Sequence, residues 1–185
     1  MLTGGASSRT KVDGVPRPVH PRSLFRLAWQ GALLVLLIAA FVTLRIGEVS
    51  GESMTPTLAP GEAVAIDARE FWFGAPRRGE IVAFRHDRSG PSLYVKRVVG
   101  TGGDVVAVRR GVVTVDGRAV ADPSGVTPGG PDFAQQTVPA GTYFVLGDDR
   151  PGSEDSRAWG FVDARDVLGR AFFGLWPPAR IGFLR

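Results

Sequence analysis

The stretch LYVKRVVGTGGDVVAVRRGVVTVDGRAV, residues 93–120, decides the fold class of this chain. It consists of short runs of β-branched and aromatic residues that are separated by Gly, Asp and Arg. Runs of this length and composition predict β-strands, because an amphipathic helix needs a longer stretch with a 3.6-residue period. Asp116-Gly117 between VVTV and RAV is a strong signal for a two-residue hairpin turn. The stretch therefore predicts antiparallel strands that follow one another along the chain.

Similar runs continue on both sides of this stretch. The complete set predicts strands at residues 63–66, 81–84, 93–99, 105–108, 112–115, 142–146 and 171–176. The segment ADPSGVTPGGP at 121–131 predicts a loop or small insertion. We find no internal repeat and no amphipathic helix among these runs. We therefore expect a mostly β domain, built as a folded-over antiparallel sheet or partial barrel.

An uncharged stretch of 18 residues, LAWQGALLVLLIAAFVTL, precedes the β runs at positions 27–44. As a helix it would extend about 27 Å at 1.5 Å per residue, close to the thickness of the hydrocarbon core. A buried soluble helix is disfavoured because the stretch has no polar face. A cleavable signal peptide is disfavoured because no small-x-small site with a mature start follows. We expect a single N-terminal transmembrane signal-anchor helix.

The positive charge of the chain is concentrated before this stretch. Residues 1–26 have a net charge of +4, and the basic and acidic residues of the remainder cancel. An excess confined to a tail argues against nucleic-acid binding by the folded domain. Basic residues flank the cytoplasmic end of a span. We therefore expect a basic, disordered cytoplasmic tail at 1–26, the helix at 27–44, and an extracytoplasmic β domain at 45–185.

The residue types leave few options for chemistry. The chain has no cysteine, which excludes disulfides, thiol catalysis and cysteine-ligated zinc. Its two histidines are His20 in the tail and His86 in RHDRSG at 85–90, which has the composition of a hairpin tip. A Ser–His–Asp triad through His86 is possible by residue type, but adjacent His and Asp on a turn usually face water. No His/Asp/Glu cluster has metal-ligand spacing, so we expect no metal and no other cofactor.

Lysine is scarce in this chain. Lys11 and Lys96 stand against twenty arginines. Arginine cannot lose its proton in a protein, whereas a desolvated lysine can act as a base. On a strand, Lys96 shares a face with Tyr94 and Val98, an apolar setting that lowers the pKa of an amine. The residues alone leave two interpretations open, a general base or a lysine that protects an edge strand from aggregation.

Four ordered motifs between residues 46 and 182 carry a resemblance to a known family. They read SMTPTL at 53–58, FGAPRRGEIVAF at 73–84, YVKRVVGTGGD at 94–104 and GDDRPGSEDSRAWG at 147–160. The ending, Trp176-Pro177 with RIG at 180–182, fits the same pattern. On these motifs the chain resembles the bacterial type I signal peptidases, or leader peptidases. The resemblance is greatest to Gram-positive and actinobacterial members, many of which have Gly at the position of Gly51.

The resemblance implies roles for single residues. Ser53 would be the nucleophile, and Lys96 would be the general base that takes its proton. Ser153 would hydrogen-bond the Lys96 amine and orient it.

Further residues would support this dyad. Asp155 would pair with Arg157, and Asp148 with Arg97, so that the lysine strand and the last motif are held together. Without the resemblance, ordinary surface pairing of these four residues is the alternative interpretation. Met54 and Pro56 would shape the turn and the apolar floor of the site.

The implied activity is that of a membrane-bound serine endopeptidase. It would remove N-terminal signal peptides from exported preproteins through an acyl-enzyme intermediate. Its expected partners are the signal peptides, the lipid bilayer and the export machinery, and nucleic acid is not expected. Its expected location is the cell membrane, as a single-pass protein with a cytoplasmic N-terminus and an extracytoplasmic catalytic domain.

Some positions depart from the commonest family pattern. Gly51 stands where some members place a serine that completes the oxyanion hole, so the second donor is not assigned. Asp149 replaces Asn, Pro151-Gly152 replaces Asp-Asn, and Ala158 replaces Tyr. The aromatic run at 71–73 could contact the membrane interface or belong to the core.

Three alternatives compete with this interpretation. One is a self-cleaving serine–lysine protease of the SOS-repressor type, which would carry a DNA-binding domain or a short soluble arm in place of a span. Another is a specialised membrane-tethered Ser–Lys peptidase with few substrates. The third is a non-catalytic membrane-anchored β module, which the presence of both Ser53 and Lys96 disfavours.

Overall fold

The structure is a computed structural model that describes residues 25–26, 28–36, 44–68, 74–86 and 93–184. The chain divides into two compact units, Met1–Ala39 and Ala40–Arg185. In the first unit, residues 25–26 and 28–36 are helical. Among the described residues, no helix combines the length and the hydropathy that a membrane crossing requires. Leu27 and residues 37–43 of the predicted span lie outside the described residues.

The second unit is mostly β structure, as predicted. Its larger sheet contains β1 Leu44–Glu48, β2 Ala63–Asp67, β3 Ile81–Phe84, β4 Tyr94–Thr101, β9 Thr142–Leu146, β10 Val162–Asp163, β11 Val167–Trp176 and β12 Gly182–Phe183. These strands run in the order β1-β2-β11-β3-β4-β9-β10, and β12 also pairs with β11. Every pairing between them is antiparallel. The strand β4 therefore lies inside the sheet, between β3 and β9.

A smaller sheet carries the hairpin that the sequence predicts. It contains β5 Val105–Arg109, β6 Val112–Val115, β7 Arg118–Ala119 and β8 Phe133–Thr137, in the order β7-β6-β5-β8. Asp116 and Gly117 join β6 to β7 with φ angles of 53° and 74°. A tight hairpin turn of this kind requires positive φ at both central residues, which Asp-Gly tolerates better than most pairs. The Asp116-Gly117 prediction is confirmed.

The larger sheet is bent along β11. Its register shifts against β3 between Val167 and Gly169, and against β2 between Ala171 and Phe173 and again between Gly174 and Trp176. Such bulges bend a strand and increase its twist. The sheet curls but does not close, because β1 and β10 remain its two ends. This agrees with the expected folded-over sheet.

Apolar clusters cover both faces of the sheet around β4. One cluster contains Val49, Met54 and Leu58, and Val95 packs against it. A second cluster contains Val82, Phe84, Val98, Val145 and Val162, and a third contains residues of both sheets, among them Val106 and Phe144. This packing buries the middle of β4, from Lys96 to Gly100.

The differences from the sequence prediction concern short or exposed elements. The strands β1, β8, β10 and β12 were not predicted. β1 and β8 are mostly exposed, and β8 carries two glutamines, while β10 and β12 have two residues each. A helix of four residues, Ser156–Trp159, was also missed; the Asp155 side chain caps its N-terminus. Leu44, assigned to the end of the apolar stretch, is the first residue of β1.

Candidate active site

Lys96 lies in the middle of the larger sheet. On the neighbouring strand β3, Val82 is the residue opposite Lys96. The packing on both faces of β4 buries the lysine, of which 3% of the surface is exposed. A lysine that protects an edge strand would be solvated. The position of β4 inside the sheet therefore excludes that interpretation of Lys96.

Burial is the main influence on the Lys96 amine. It lowers the pKa of Lys96 from 10.5 to about 8, because the ammonium form loses hydration. The carboxylates of Asp155 and Glu154 act in the opposite direction, and the Arg157 guanidinium adds to the lowering. Lys96 Nζ donates a hydrogen bond to Ser153 Oγ over 3.1 Å. The hydroxyl of Ser153 thus fixes an amine whose protonation changes near pH 8.

Ser53 lies in a series of turns at residues 51–58, shortly after β1. Met54 and Leu58, which are 1% and 0% exposed, anchor these turns in the core. The backbone carbonyl of Ser53 accepts a hydrogen bond of 3.1 Å from the N–H of Asp149. The nucleophile candidate is therefore fixed on one side by the core and on the other by the chain that follows β9.

Ser53 and Lys96 line the same cleft, which has a volume of about 380 Å³. Three segments line it: residues 48–54, residues 93–96, and Gly152 with Glu154. A serine hydroxyl and a lysine that loses its proton near neutral pH are the groups that nucleophilic acyl transfer requires. The geometry therefore brings together two residues that lie 43 positions apart in the sequence.

Arg97, the neighbour of Lys96, connects β4 to two other segments. Its guanidinium donates to the Asp148 carboxylate over 2.9 Å from Nε and 2.6 Å from Nη2, and Nη1 donates to the Gly79 carbonyl over 2.7 Å. Both charged side chains are at most 2% exposed. Thr57 Oγ1 donates to the same carboxylate over 2.5 Å. The Asp148 carboxylate thus joins the lysine strand to the turns that carry Ser53.

The second predicted ion pair is also present. Arg157 donates to the Asp155 carboxylate over 2.8 Å from both Nε and Nη2. Asp155 Oδ2 further accepts a hydrogen bond of 3.0 Å from the N–H of Gly147. Both side chains are at most 1% exposed. The pair fixes the loop between β9 and the short helix, and Ser153 belongs to this loop.

Gly147 packs directly against the candidate catalytic groups. A Cβ atom at this position would lie 2.2 Å from Ser153 Oγ and 2.4 Å from the Ser53 carbonyl oxygen. These distances are far below van der Waals contact, so no other residue fits without displacing one of the two serines. The glycine lets the loop after β9 approach the Ser53 turn.

His86 takes no part in the cleft. It is exposed and packs its ring against Trp159, with centroids 4.4 Å apart, and against Tyr94 at 5.9 Å. It is not among the described residues that line the cleft around Ser53. The described residues contain no group of three potential metal ligands. Residues 71–73 lie outside the described part of the chain, as do residues 87–90.

Sequence reasoning assigned no role to three residues of this site. Thr57 bonds Asp148, Gly147 contacts both serines, and Arg150 is a buried cation beside them. All three stand within the motifs that carry the resemblance, which is the only signal that could have found them. Each of them contacts a residue that is distant in sequence, Thr57 with Asp148, Gly147 with Ser53 and Arg150 with Asp122. Spacing alone could not reveal these three contacts.

The fold and the site define the class of the protein, and comparison defines its family. A mostly β unit with a serine and a buried lysine in one cleft has the features of a peptidase. The family model described as signal peptidase, peptidase S26, matches residues 22–176. This chain belongs to that family.

Individual relatives agree with this assignment. A signal peptidase I of Leptolyngbya laminosa is 34% identical over 159 residues, covering 82% of this chain and 78% of the relative. Signal peptidase IB of Staphylococcus aureus is 31% identical over 164 residues, covering 79% of this chain and 85% of the relative. A crystal structure of a signal peptidase I from Enterococcus faecalis is 36% identical, with a TM-score of 0.44, and covers 51% of this chain and 95% of that one.

Proposed function

We propose that this protein is a membrane-bound serine endopeptidase that removes N-terminal signal peptides from exported preproteins, with Ser53 and Lys96 as its catalytic dyad. The observation that carries the proposal is the burial of Lys96 in the cleft that Ser53 also lines. An amine with a pKa of about 8 is partly neutral at physiological pH. A general base works best when its pKa lies near the working pH.

The reaction proceeds in two acyl-transfer steps. Ser53 Oγ attacks the carbonyl carbon of the scissile peptide bond while Lys96 Nζ takes the hydroxyl proton. The C–N bond then breaks, and the leaving amine receives that proton from Lys96. Lys96 next takes a proton from water, which attacks the ester and releases the signal peptide, and the proton returns to Ser53. The Ser53 backbone N–H is one donor for the oxyanion.

The surrounding contacts support this assignment of roles. Ser153 accepts a hydrogen bond from the Lys96 amine, which aims the nitrogen lone pair away from Ser153. The buried pairs Arg97–Asp148 and Asp155–Arg157 hold the strand and the loop that carry these two residues. Rigid support of this kind keeps reacting groups within a fraction of an ångström of the productive geometry.

The family and the sequence support the proposed substrate and location. The relatives are named signal peptidases, and the family favours small residues at the first and third positions before the cut. The uncharged stretch at 27–44 and the basic tail before it support a single span with the β unit outside the cytoplasm. The bilayer, the preprotein and the export machinery are the partners of such an enzyme.

Substitution of the two proposed catalytic residues tests the function. Ser53→Ala, Lys96→Ala and Lys96→Arg should each reduce cleavage of a preprotein by detergent-solubilised protein to background, since Arg cannot act as a base at accessible pH. Circular dichroism shows whether each variant is folded. His86→Ala is the matched control and should retain activity, as should the wild type in the presence of a chelator. Cleavage by folded Lys96→Arg at more than a few per cent of the wild-type rate would refute the dyad.

A further inference from the structure

Arg150 is a buried cation beside the candidate site, although it does not line the cleft around Ser53. Its side chain is 2% exposed. Arg150 Nη2 donates to Asp122 Oδ1 over 2.6 Å, and Arg150 Nε donates to the Gly147 carbonyl over 2.8 Å. Asp122 is 28% exposed and follows β7 of the smaller sheet. The guanidinium therefore joins the smaller sheet to the loop that follows β9.

The segment of residues 121–130, called here the strap, runs along that loop. The N–H of Thr127 donates to the Asp148 carbonyl over 2.9 Å, and the N–H of Arg150 donates back to the Thr127 carbonyl over 3.2 Å. Arg157 Nη1 donates to the Gly129 carbonyl over 3.3 Å. The strap thus contacts the chain after β9 at three residues, Asp148, Arg150 and Arg157.

The strap is packed against the loop without free space. A Cβ atom at Gly130 would lie 2.3 Å from the Arg150 carbonyl oxygen and 2.3 Å from Arg157 Nη1. Gly130 also has a φ of 79°, which favours glycine. A displacement of the strap is therefore transmitted to the backbone around Arg150.

The loop around Arg150 leads directly to Ser153. Arg150 holds the Gly147 carbonyl with its side chain, and its own carbonyl accepts a hydrogen bond of 2.6 Å from Arg157 Nη2. The same Nη2 donates to the Ser153 carbonyl over 3.4 Å. Gly147 is in contact with Ser153 Oγ. One end of the turn that carries Ser153 is thus bonded to the Arg150 side chain, and the other end to the Arg157 guanidinium, which also bonds the Arg150 carbonyl.

From this geometry we infer that Arg150 is a positioning residue, and that its ion pair with Asp122 of the strap holds Ser153 Oγ in place against the Lys96 amine. The inference rests on the proposed function. Removing the Asp122 charge leaves a buried guanidinium without its carboxylate. The loss in free energy is larger than for an exposed ion pair, because a buried charge is poorly solvated. The loop relaxes to solvate Arg150, and the 3.1 Å hydrogen bond from Lys96 to Ser153 is lost.

The test uses Asp122→Asn in the full-length, detergent-solubilised protein with a soluble signal-peptide substrate. Because Asp122 lies outside the lining of the cleft, KM should stay within twofold of the wild-type value, whereas kcat should fall on the order of tenfold as the base is misplaced. Rates are normalised to sites titrated with a serine-directed acylating inhibitor, so that unfolded protein does not count. Asp122→Glu keeps the carboxylate and should restore kcat to within threefold.

The matched control is Asp163→Asn, which removes the carboxylate of an exposed Asp–Arg pair with Arg165. It should leave kcat and KM unchanged. A normalised kcat of Asp122→Asn within twofold of the wild-type value would overturn the inference, even if KM were raised. A kcat that Asp122→Glu fails to restore would also overturn it. If the wild type cleaves preprotein and Asp122→Asn has the wild-type kcat, the inference is refuted but the proposed function stands. A wild type that cleaves no preprotein refutes the proposed function together with the inference.

Discussion

At the scale of single residues, the environment of Lys96 combines one strong influence and several weaker ones. Burial favours the neutral amine, while the nearby carboxylates of Asp155 and Glu154 favour the charged one. The strand pattern around Lys96 predicts an apolar face for its side chain, but it leaves an edge-strand position open, and no acidic residue stands next to Lys96 in the sequence. Asp155 and Glu154 reach Lys96 only through the fold, because they lie on the loop after β9. The pKa of about 8 results from this balance.

The first prediction at this scale concerns pH. In the proposed mechanism Lys96 is inactive when it is charged, below its folded-state pKa, and active when it is neutral, above it. The value of kcat/KM should therefore rise with pH with a midpoint of about 8. Glu154→Gln removes a carboxylate that raises the pKa of Lys96, so the midpoint should move to lower pH. The measurement is the pH dependence of kcat/KM on a substrate without ionisable groups in this range.

Glu48→Gln is the matched control for this prediction. Glu48 also lines the cleft but is not among the charges that shift the pKa of Lys96. Its substitution should leave the midpoint in place. A wild-type midpoint at 10 or above would show that Lys96 is solvated, and an upward shift in Glu154→Gln would contradict the assigned electrostatics.

At the scale of elements, the site depends on the contact between β4 and the loop after β9. The strand supplies Lys96 and Arg97, and the loop supplies Asp148 and Ser153 as their partners. Alternation along β4 directs these two neighbouring cations to opposite faces of the sheet. One strand thus presents an amine to the cleft and a guanidinium to a buried ion pair.

The prediction at this scale is that Gly147→Ala abolishes cleavage while the β unit remains folded. The added methyl group would overlap Ser153 Oγ and the Ser53 carbonyl, so that the two serines must separate. We expect a fall in kcat/KM of at least a hundredfold, consistent with a displacement of about 1 Å. Preprotein cleavage and circular dichroism provide the measurements.

Gly182→Ala serves as the comparison for this loss. A Cβ atom at Gly182 meets no atom within 4 Å, so the substitution should keep wild-type activity. Retained activity in Gly147→Ala would mean that the loop can withdraw from Ser53 without consequence. The assignment of Ser153 as the residue that orients Lys96 would then be wrong.

The elements also show where sequence patterns are informative. The runs at 81–84, 112–115 and 142–146 match β3, β6 and β9 in both bounds. β3 and β9 are almost wholly buried and β6 is buried at alternate positions, and apolar, β-branched residues suit such strands. The edge strand β8 is exposed at four of its five residues and therefore carries no such pattern. Burial, which makes a strand recognisable, is itself a property of the tertiary structure.

At the scale of the whole molecule, the net positive charge lies in the N-terminal tail, whereas the buried polar groups of the β unit are paired. The excess of positive charge lies in residues 1–26, of which the structure describes residues 25–26 alone. Within the described residues, no buried side-chain nitrogen or oxygen lacks a hydrogen-bond partner. Buried ionic groups are tolerated only when they are paired in this way. Residues 45–185 carry equal numbers of basic and acidic side chains, so the net positive charge of the protein comes from the tail.

The prediction at this scale concerns the proposed topology. The chain has no cysteine, so a single introduced thiol reports on one position. Ser124→Cys, at an exposed turn position, should react with an impermeant thiol reagent added to cells without a wall, and Ser8→Cys should react only after lysis. Ser124 suits this purpose better than Gly125, whose φ of 97° disfavours a side chain. The proposed orientation would be wrong if Ser8→Cys reacted in intact cells and Ser124→Cys did not.

The sequence by itself determined the fold class, the hairpin at Asp116-Gly117, the family and the candidate pair Ser53 and Lys96. These features depend on local composition or on motifs of contiguous residues, which can be read along the chain. The tertiary structure alone decided that β4 lies inside its sheet, that Glu154 influences Lys96, and that Gly147, Thr57 and Arg150 support the site. The physical reason is that desolvation and close packing act through space, between segments whose proximity no local pattern encodes.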